Sequence, residues 1–348
     1  MVNIKNVLVT GSNGYIGSLL VPLLKQKNYK VWGLDTSYFD DPECHFKKTT
    51  LPDKFIKKDI RDIKAADLKN IDAVCHLAAL SNDPLGEINP KLTRDINLTA
   101  SQKLARFAKK VGVKRFLFSS SCSVYGVMGD QEITEESPVD PKTAYAVSKV
   151  EFEKSLLKLA DKNFCPVILR NATAYGSSPK LRLDLVLNNF AASAFTANRI
   201  NILSDGTPWR PMIHAEDIAR LFVALLKAPT DKVAGQIINC GRNEENFQIG
   251  EIAKIVKSVF KKTEVSLAVN PDKDSRTYKV SFNKLKKMLP EFKFKWTLQK
   301  AVRQLKTDWE NNPPPTKVLT SRNFMRLRQL NHLIDNKRIN QKLFWHHD

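Results

Sequence analysis

The stretch that decides the fold is NVLVTGSNGYIGSLLVPLLKQK, residues 6–27. It opens with an apolar run typical of a buried strand and closes with the residue spacing of a helix. Between them lie three glycines, Gly11, Gly14 and Gly17, each three residues from the next. In such a turn the first glycine permits the bend, the second lets backbone approach a pyrophosphate, and the third lets helix and strand pack closely. The stretch therefore predicts a strand–turn–helix unit that binds phosphate at the helix N-terminus.

Asp35 ends the next apolar run, VWGLD, and lies 18 residues after Gly17. A carboxylate at this point accepts hydrogen bonds from the adenosine ribose hydroxyls and repels a 2′-phosphate. The following residues are Thr, Ser, Tyr and Phe, which offer no cation to bind such a phosphate. The position favours NAD over NADP as the cofactor.

Strand-like and helix-like segments alternate through the first half of the chain. Strands are predicted at residues 6–10, 31–35, 55–60, 73–79, 115–121 and 166–172. Helical patterns lie between most of them, for example over residues 92–111 and 142–162. Such alternation indicates βαβ units, and the right-handed crossover rule then favours an α/β fold with a doubly wound parallel sheet, the Rossmann arrangement.

After about residue 175 the pattern becomes irregular. Short strands are predicted at NILS and QIINC, and helices at 183–198, 248–260, 297–310 and 321–336. We expect residues 1–175 to form the dinucleotide-binding domain. Residues 176–348 should form mainly a smaller C-terminal substrate-binding lobe and a helical tail, with some segments returning to the first domain. For the tail, packing on its own domain is favoured over packing on a partner.

Composition excludes several other classes of protein. The chain has 348 residues, 42% hydrophobic and 26% charged, and no apolar run approaches the roughly 20 residues of a membrane-spanning helix. The chain enters its first strand without a signal-peptide pattern, and its five cysteines are dispersed. We therefore expect a cytoplasmic protein with buried, reduced thiols and no metal site.

The formal net charge of +20 is concentrated near the C-terminus. Residues 251–348 carry 22 Lys or Arg against 9 Asp or Glu. Such a field attracts nucleic acids or smaller anions such as a nucleotide diphosphate. Because no basic run exceeds two residues, a solvated basic surface is favoured over a nucleic-acid site.

Three side chains are candidates for catalysis. Tyr145 and Lys149 lie four residues apart on a predicted helix and therefore share one face. An ammonium beside the phenol should lower the phenol's pKa and give a general base for a sugar or alcohol hydroxyl. Ser121 ends a predicted strand about 20 residues upstream, at the sheet edge where ligands bind, and can hydrogen-bond the reacting oxygen.

Five motifs occur in a familiar order: TGSNGYIG, Asp35, HLAA, SSSCSVYG and YAVSK. With them the chain resembles the extended short-chain dehydrogenase/reductases, and most closely the NAD-dependent nucleotide-sugar epimerases and dehydratases typified by UDP-glucose 4-epimerase. The resemblance implies that Tyr145 is the base, Lys149 its partner and Ser121 a substrate-hydroxyl ligand. It implies cofactor contacts from Gly11, Asn13, Gly14, Tyr15, Ile16, Gly17, Asp35, Asp59, Ile60, Leu77, Ala78, Ala79, Asn97, Tyr145 and Lys149.

The second half of the chain fits the same resemblance. The segment RPMIHAED places Arg210 where the family binds the nucleotide-sugar diphosphate, and Arg276 resembles a second such arginine. Guanidinium suits this role because its planar fork matches phosphate oxygens. The resemblance implies substrate contacts from Ser121, Ser123, Tyr145, Asn171, Thr173, Arg210 and Arg276.

The sequence also departs from family patterns. A 4,6-dehydratase carries Asp-Glu directly after the residue that matches Ser121, whereas this chain has Cys122 and Ser123. Cys122 lies one position from the catalytic cysteine of GDP-mannose 3,5-epimerase, so we expect it in the core. Thr173 replaces the asparagine that approaches the sugar in the 4-epimerase, which leaves the sugar open.

The favoured hypothesis is epimerisation at C4 of a nucleoside-diphosphate sugar with retained NAD. A 4-keto-sugar reductase, a 4,6-dehydratase and a non-catalytic binding protein on the same scaffold remain alternatives. The resemblance further implies a homodimer and a role in making polysaccharide precursors. No membrane partner is expected.

Overall fold

The computed structural model describes residues 3–81, 83, 86, 89–268, 277–314, 318–319 and 321–346, with the backbone alone for residues 128–130. Its strands are β1 (Asn6–Thr10), β2 (Lys30–Asp35), β3 (Lys54–Lys57), β4 (Ala73–His76), β5 (Arg115–Ser121), β6 (Val127–Ile133), β7 (Cys165–Asn171), β8 (Thr173–Tyr175), β9 (Arg199–Ile202), β10 (Trp209–His214), β11 (Gln236–Cys240), β12 (Asn246–Gln248), β13 (Glu264–Leu267) and β14 (Thr277–Val280). Seven of them form one sheet in the spatial order β3-β2-β1-β4-β5-β7-β11. Every neighbouring pair in this sheet is parallel, which confirms the predicted doubly wound fold.

The helices of the described residues cover both faces of the sheet and build the lobe beside it. They are α1 (Gly17–Gln26), α2 (Pro90–Arg94), α3 (Ser101–Lys110), α4 (Ala144–Leu157), α5 (Val186–Ala197), α6 (Ala215–Lys227), α7 (Thr230–Val233), α8 (Ile249–Val259), α9 (Asn283–Met288), α10 (Leu298–Asn311) and α11 (Arg326–Asp335). A π-helical segment, Asp95–Ala100, joins α2 to α3 without a break. Side-chain caps fix several helix starts. At α4, for example, the Thr143 hydroxyl accepts a hydrogen bond from the Ala146 N–H at 3.2 Å.

The sheet is apolar on both faces because helices cover both. In β1, Val7 and Val9 belong to the core cluster that contains α1 and α6, whereas Leu8 belongs to the opposite cluster with α3 and α4. The sequence analysis predicted no helix at α6. Its signals are nevertheless present, because His214 caps its first turn and that turn carries Glu216 and Asp217.

The second half builds a lobe around its own apolar core. Its sheet is β8-β10-β12, with β10 parallel to β8 and antiparallel to β12. Helices α5, α8 and α10 pack together there around the fully buried Trp309. Two segments of this half return to the first domain: α6 packs on α1, and β11 (the predicted QIINC strand) is the sheet's edge strand beside β7.

The C-terminal tail packs on its own chain. Leu330 and Leu333 of α11 join the core cluster on the α3 and α4 side of the sheet. The residues after α11 then reach the loop that follows β2, where Trp345 Nε1 donates to Thr36 O at 2.7 Å and the Tyr38 hydroxyl donates to Leu343 O. The tail therefore lies beside the carboxyl end of β2.

Candidate active site

A cavity of about 680 Å³ lies at the carboxyl ends of β1, β4 and β5, between the sheet and the lobe. Strand β4 lies beside β1 on the side away from β2, so the direction of strand addition reverses between them. Ligands of open parallel sheets bind at such a switch point. The volume is that of an ordinary small-molecule site.

The glycine turn forms one wall of this cavity. Gly11 has φ +72°, and a Cβ there would lie 2.9 Å from Ala78 N. A Cβ on Gly17 would lie 2.1 Å from Gly11 O, so the helix can approach the strand only without a side chain at this position. Tyr15 and Ile16 line the cavity at the start of α1, and the Tyr15 hydroxyl donates to Gly176 O at 2.6 Å. The turn thus leaves space for a pyrophosphate against the helix N-terminus.

Two carboxylates lie at the adenosine end. Asp35 ends β2, lines the cavity and accepts from the Asn13 and Ser37 N–H groups at 3.0 and 2.8 Å. Burial raises the pKa of Asp35. Asp59 also lines the cavity and forms an ion pair with Arg61 at 2.7 Å. These positions suit hydrogen bonds to a ribose and an adenine, as the sequence predicts.

Backbone after two other strands completes the cofactor side. Ile60 lines the cavity directly after Asp59, and Leu77, Ala78 and Ala79 line it directly after β4. The cavity wall there is mostly apolar, which suits the flat faces of a dinucleotide's rings.

Two residues predicted to bind the cofactor do not line the cavity. Asn97 does not line the cavity: its amide accepts from the Leu80 N–H at 2.8 Å and donates to Leu80 O at 3.1 Å. Asn13 does not line it either, because its N–H bonds Asp35 and its side chain bonds Asp40. Both residues hold cavity-lining groups in position, and their contact with the cofactor stays a prediction.

The three predicted catalytic residues meet in the cavity. Ser121 comes from the end of β5, and Tyr145 and Lys149 come from one face of α4. The Lys149 Nζ lies 5.5 Å from the Tyr145 ring centroid and donates to Ser119 O at 2.8 Å. Ser121 hydrogen-bonds the Tyr145 hydroxyl. Such a group can move a proton to or from a substrate hydroxyl.

The pKa of Tyr145 differs from the expectation. Burial raises this pKa, the charge of Asp83 raises it further, and the hydrogen bond with Ser121 lowers it. Burial also lowers the pKa of Lys149 to about 7, so its amine is only partly protonated near neutral pH. The net shift of the phenol's pKa is therefore upward and not downward as expected, because burial and the charge of Asp83 outweigh the groups that favour the phenolate.

Polar groups line the opposite, substrate end. Ser123, Asn171, Thr173 and Arg210 all lie on the cavity wall. Within the described part of the chain, Ser123 Oγ and Asn171 Oδ1 are buried without a hydrogen-bond partner. Buried polar atoms of this kind are expected to bind a ligand or water. Arg276 lies outside the described residues.

Cys122 faces away from this site. Its side chain is buried, and its Sγ contacts Arg170 O at 3.2 Å. Burial raises the pKa of its thiol, so it is held neutral in the core. The expectation for this residue agrees with the structure.

Sequence reasoning missed five charged residues on the cavity wall. They are Lys58, Asp83, Arg182, Asp184 and Arg326. Arg182 pairs with Asp184 through two hydrogen bonds of 2.9 and 3.0 Å, and its Nη1 donates to Ser81 at 3.0 Å. The spacing of Arg182 and Asp184 is a weak local signal, whereas Arg326 reaches the cavity only through the packing of the tail.

Comparison with known proteins agrees with this site. The NAD dependent epimerase/dehydratase family matches residues 7–241. UDP-glucose 4-epimerase of Bacillus subtilis is 29% identical over 277 residues, 73% of this chain and 81% of that protein. The dTDP-D-glucose 4,6-dehydratase of Mus musculus is 29% identical over 272 residues, 74% of each chain. The solved structure of MoeE5 in complex with UDP-glucose and NAD has a TM-score of 0.77 at 24% identity and covers 89% of this chain and 100% of that one.

A Rossmann sheet with a glycine turn and a Ser/Tyr/Lys group defines an NAD-dependent enzyme. The chain belongs to the NAD dependent epimerase/dehydratase family. The glycine turn fits NAD, because Gly11 and Gly17 have no room for a Cβ and the tight turn they allow leaves the helix N-terminus open to a pyrophosphate.

Among the described residues, no group of three or more His, Cys, Asp or Glu side chains could hold a metal ion. No helix among them is long and apolar enough to cross a membrane. All five cysteines are buried and free.

Proposed function

We propose that the protein is an epimerase that acts at C4 of a nucleoside-diphosphate sugar, through a 4-keto intermediate and with retained NAD. One observation carries the proposal: Ser121, Tyr145 and Lys149 meet in the cavity, while the two positions after Ser121 hold a buried thiol and a hydroxyl. Epimerisation needs a base and a hydride acceptor. It needs no acid for a leaving 6-hydroxyl.

The catalytic residues have distinct tasks. Tyr145 removes the proton of the 4-hydroxyl and later returns it to the same oxygen, while Ser121 hydrogen-bonds that oxygen. Lys149, beside Tyr145, favours the phenolate to the extent that it is protonated. When bound, NAD supplies the hydride acceptor and a positive charge near the phenol.

The substrate end supports a nucleotide sugar. Arg210 is buried on the cavity wall and provides a guanidinium for the diphosphate. Ser123, Asn171 and Thr173 provide hydrogen-bonding groups for sugar hydroxyls. The UDP-glucose and dTDP-glucose enzymes among the relatives support the same substrate class.

A 4,6-dehydratase is the second candidate, and Asp83 is the observation that favours it. Asp83 lies on the cavity wall, accepts a hydrogen bond from Thr143 at 2.5 Å, and its charge acts on Tyr145. In its protonated form, a carboxyl group on the same cavity wall as the base can give a proton to a leaving hydroxyl. In this alternative it replaces the acids missing after Ser121.

NMR of the purified protein with UDP-, GDP-, CDP- and dTDP-sugars in D2O, without added cofactor, tests the proposal. A C4 epimer without solvent deuterium in the sugar is the expected product. A 4-keto-6-deoxy product with deuterium at C5 would replace epimerisation with dehydration, and D83N should then abolish that product. If no sugar changes while NADH supports reduction of a 4-keto sugar, the protein is a reductase and the proposal fails.

A further inference from the structure

A buried arginine of the tail faces the cavity. Arg326 begins α11, is 3% exposed and lines the cavity wall. Its guanidinium lies 4.2 Å from the ring centroid of Phe39, and its Nη2 donates to Lys180 O at 2.8 Å. Its Nη1 is buried and has no hydrogen-bond partner among the residues that the structure describes.

The charge of this guanidinium is poorly compensated. The neighbouring Arg182 has its own carboxylate, Asp184, at hydrogen-bond distance. Arg326 has no ion pair with any carboxylate of the described residues. The oxygen that accepts its hydrogen bond is the neutral backbone carbonyl of Lys180. Burial and repulsion by Arg182 lower the pKa of Arg326 to about 10, although the charges of Asp184 and Asp35 act in the opposite direction. A buried cation in this state is costly unless an anion approaches it.

The position of Arg326 indicates which anion would approach it. Its guanidinium stacks on Phe39, in the loop that follows Asp35 at the carboxyl end of β2. It also bonds Lys180 O, in the segment whose Gly176 and Ser178 bond Tyr15 of the glycine turn. A dinucleotide bound at a Rossmann switch point places its adenosine ribose at the Asp35 position and its pyrophosphate at the glycine turn. These contacts place the guanidinium on the side of the cavity where ribose and pyrophosphate join.

We propose that Arg326 binds the pyrophosphate of NAD, so that the C-terminal helix α11 supplies a cofactor-binding residue in addition to the glycine turn. Two charge-assisted hydrogen bonds from a planar guanidinium suit phosphate oxygens. Phe39 and Lys180 hold the fork in place before the ligand arrives.

Neighbouring contacts fix the helix that carries Arg326. Gln329 Nε2 donates to Tyr38 O at 3.2 Å, and Leu330 lines the same cavity. Farther along the tail, Arg61 Nη1 donates to Lys342 O at 2.8 Å, which ties the tail to the Asp59 loop. The arginine is thus presented by a packed segment and not by a free chain end.

Calorimetric titration of NAD-free protein with NAD and with adenosine tests the assignment. R326Q should weaken NAD binding about 10- to 100-fold, the range of a hydrogen bond to a charged group, and leave adenosine binding unchanged. R328Q is the matched control, because Arg328 is exposed on the same helix, and its NAD affinity should equal that of the wild type.

Several results would overturn the assignment. Equal NAD affinity for R326Q and wild type would remove Arg326 from the site. An equal loss for NAD and adenosine would make it a structural residue. If R326Q does not fold, R326K takes its place in the titration. This variant keeps the charge but loses the planar guanidinium, so NAD affinity must fall several-fold while adenosine affinity stays unchanged.

Discussion

Replacing Glu153 with glutamine should destabilise the protein far more than the same change at Glu151, two residues earlier on α4. Glu153 forms a buried ion pair with Arg170, with Nη2 to Oε2 at 2.7 Å and Nε at 3.2 Å from both carboxylate oxygens. Their side chains are only 2% and 5% exposed. The Ser120 hydroxyl also donates to Glu153.

The expected cost follows from burial. Glutamine keeps the shape of Glu153 but leaves the Arg170 charge buried without a counter-charge, which costs about 3–5 kcal/mol of unfolding free energy. Glu151 pairs with Arg94 at the same 2.7 Å distance, but these side chains are 38% and 61% exposed. An exposed pair contributes less than about 1 kcal/mol, so E151Q should change stability little.

Urea unfolding followed by circular dichroism measures both costs. The double variant E153L/R170M removes both charges and should recover most of the loss, because no buried charge is left unpaired. Similar losses for E153Q and E151Q would refute the reasoning that burial, and not the contact distance, sets the cost.

Three further predictions concern the cofactor and the catalytic group. Y145F should lower turnover by about 10²–10⁴-fold while the NAD content of the purified protein stays unchanged, and a parallel loss of NAD would point to a binding role. Burial lowers the pKa of Lys149 from 10.5 to about 7. Between pH 7 and 10.5 the unfolded chain therefore binds more protons than the folded one, and Lys149 makes the NAD-free protein more stable as the pH rises through this window. K149M should lack this gain in denaturant unfolding, and parallel pH profiles of the two proteins would contradict the assigned pKa. G17A places a Cβ 2.1 Å from Gly11 O and should abolish NAD binding in calorimetry, whereas G250A, whose Cβ meets nothing closer than 3.3 Å, should bind NAD normally.

Local patterns predicted the centre of the site well. The glycine turn, Asp35 and the Tyr145/Lys149 pair each depend on residues a few positions apart, or on one strand–turn–helix unit. Ser121 could be placed because the ends of parallel strands meet at one sheet edge. For these residues the structure agrees with the position that the sequence predicted.

Long-range packing limited the rest. Arg326 and Asp83 reach the cavity through contacts that no short window of sequence contains. Asn97 lies close to the cavity but points its amide at the Leu80 backbone, a choice that depends on side-chain rotation. The Tyr145 pKa depends on burial, which residue spacing does not reveal.

The contacts between the tail and the loop after β2 also bear on how the molecule is made. The bond between the Tyr38 hydroxyl and Leu343 O spans 305 residues of chain, although β2 is among the first strands synthesised. Contacts so distant in sequence close late in folding, because the entropy of the intervening chain must first be lost. A nascent chain can therefore assemble its parallel sheet long before the adenosine side of its cavity is finished. Binding of NAD would then follow the last step of folding, and shortened chains that lack the tail would bind the cofactor weakly.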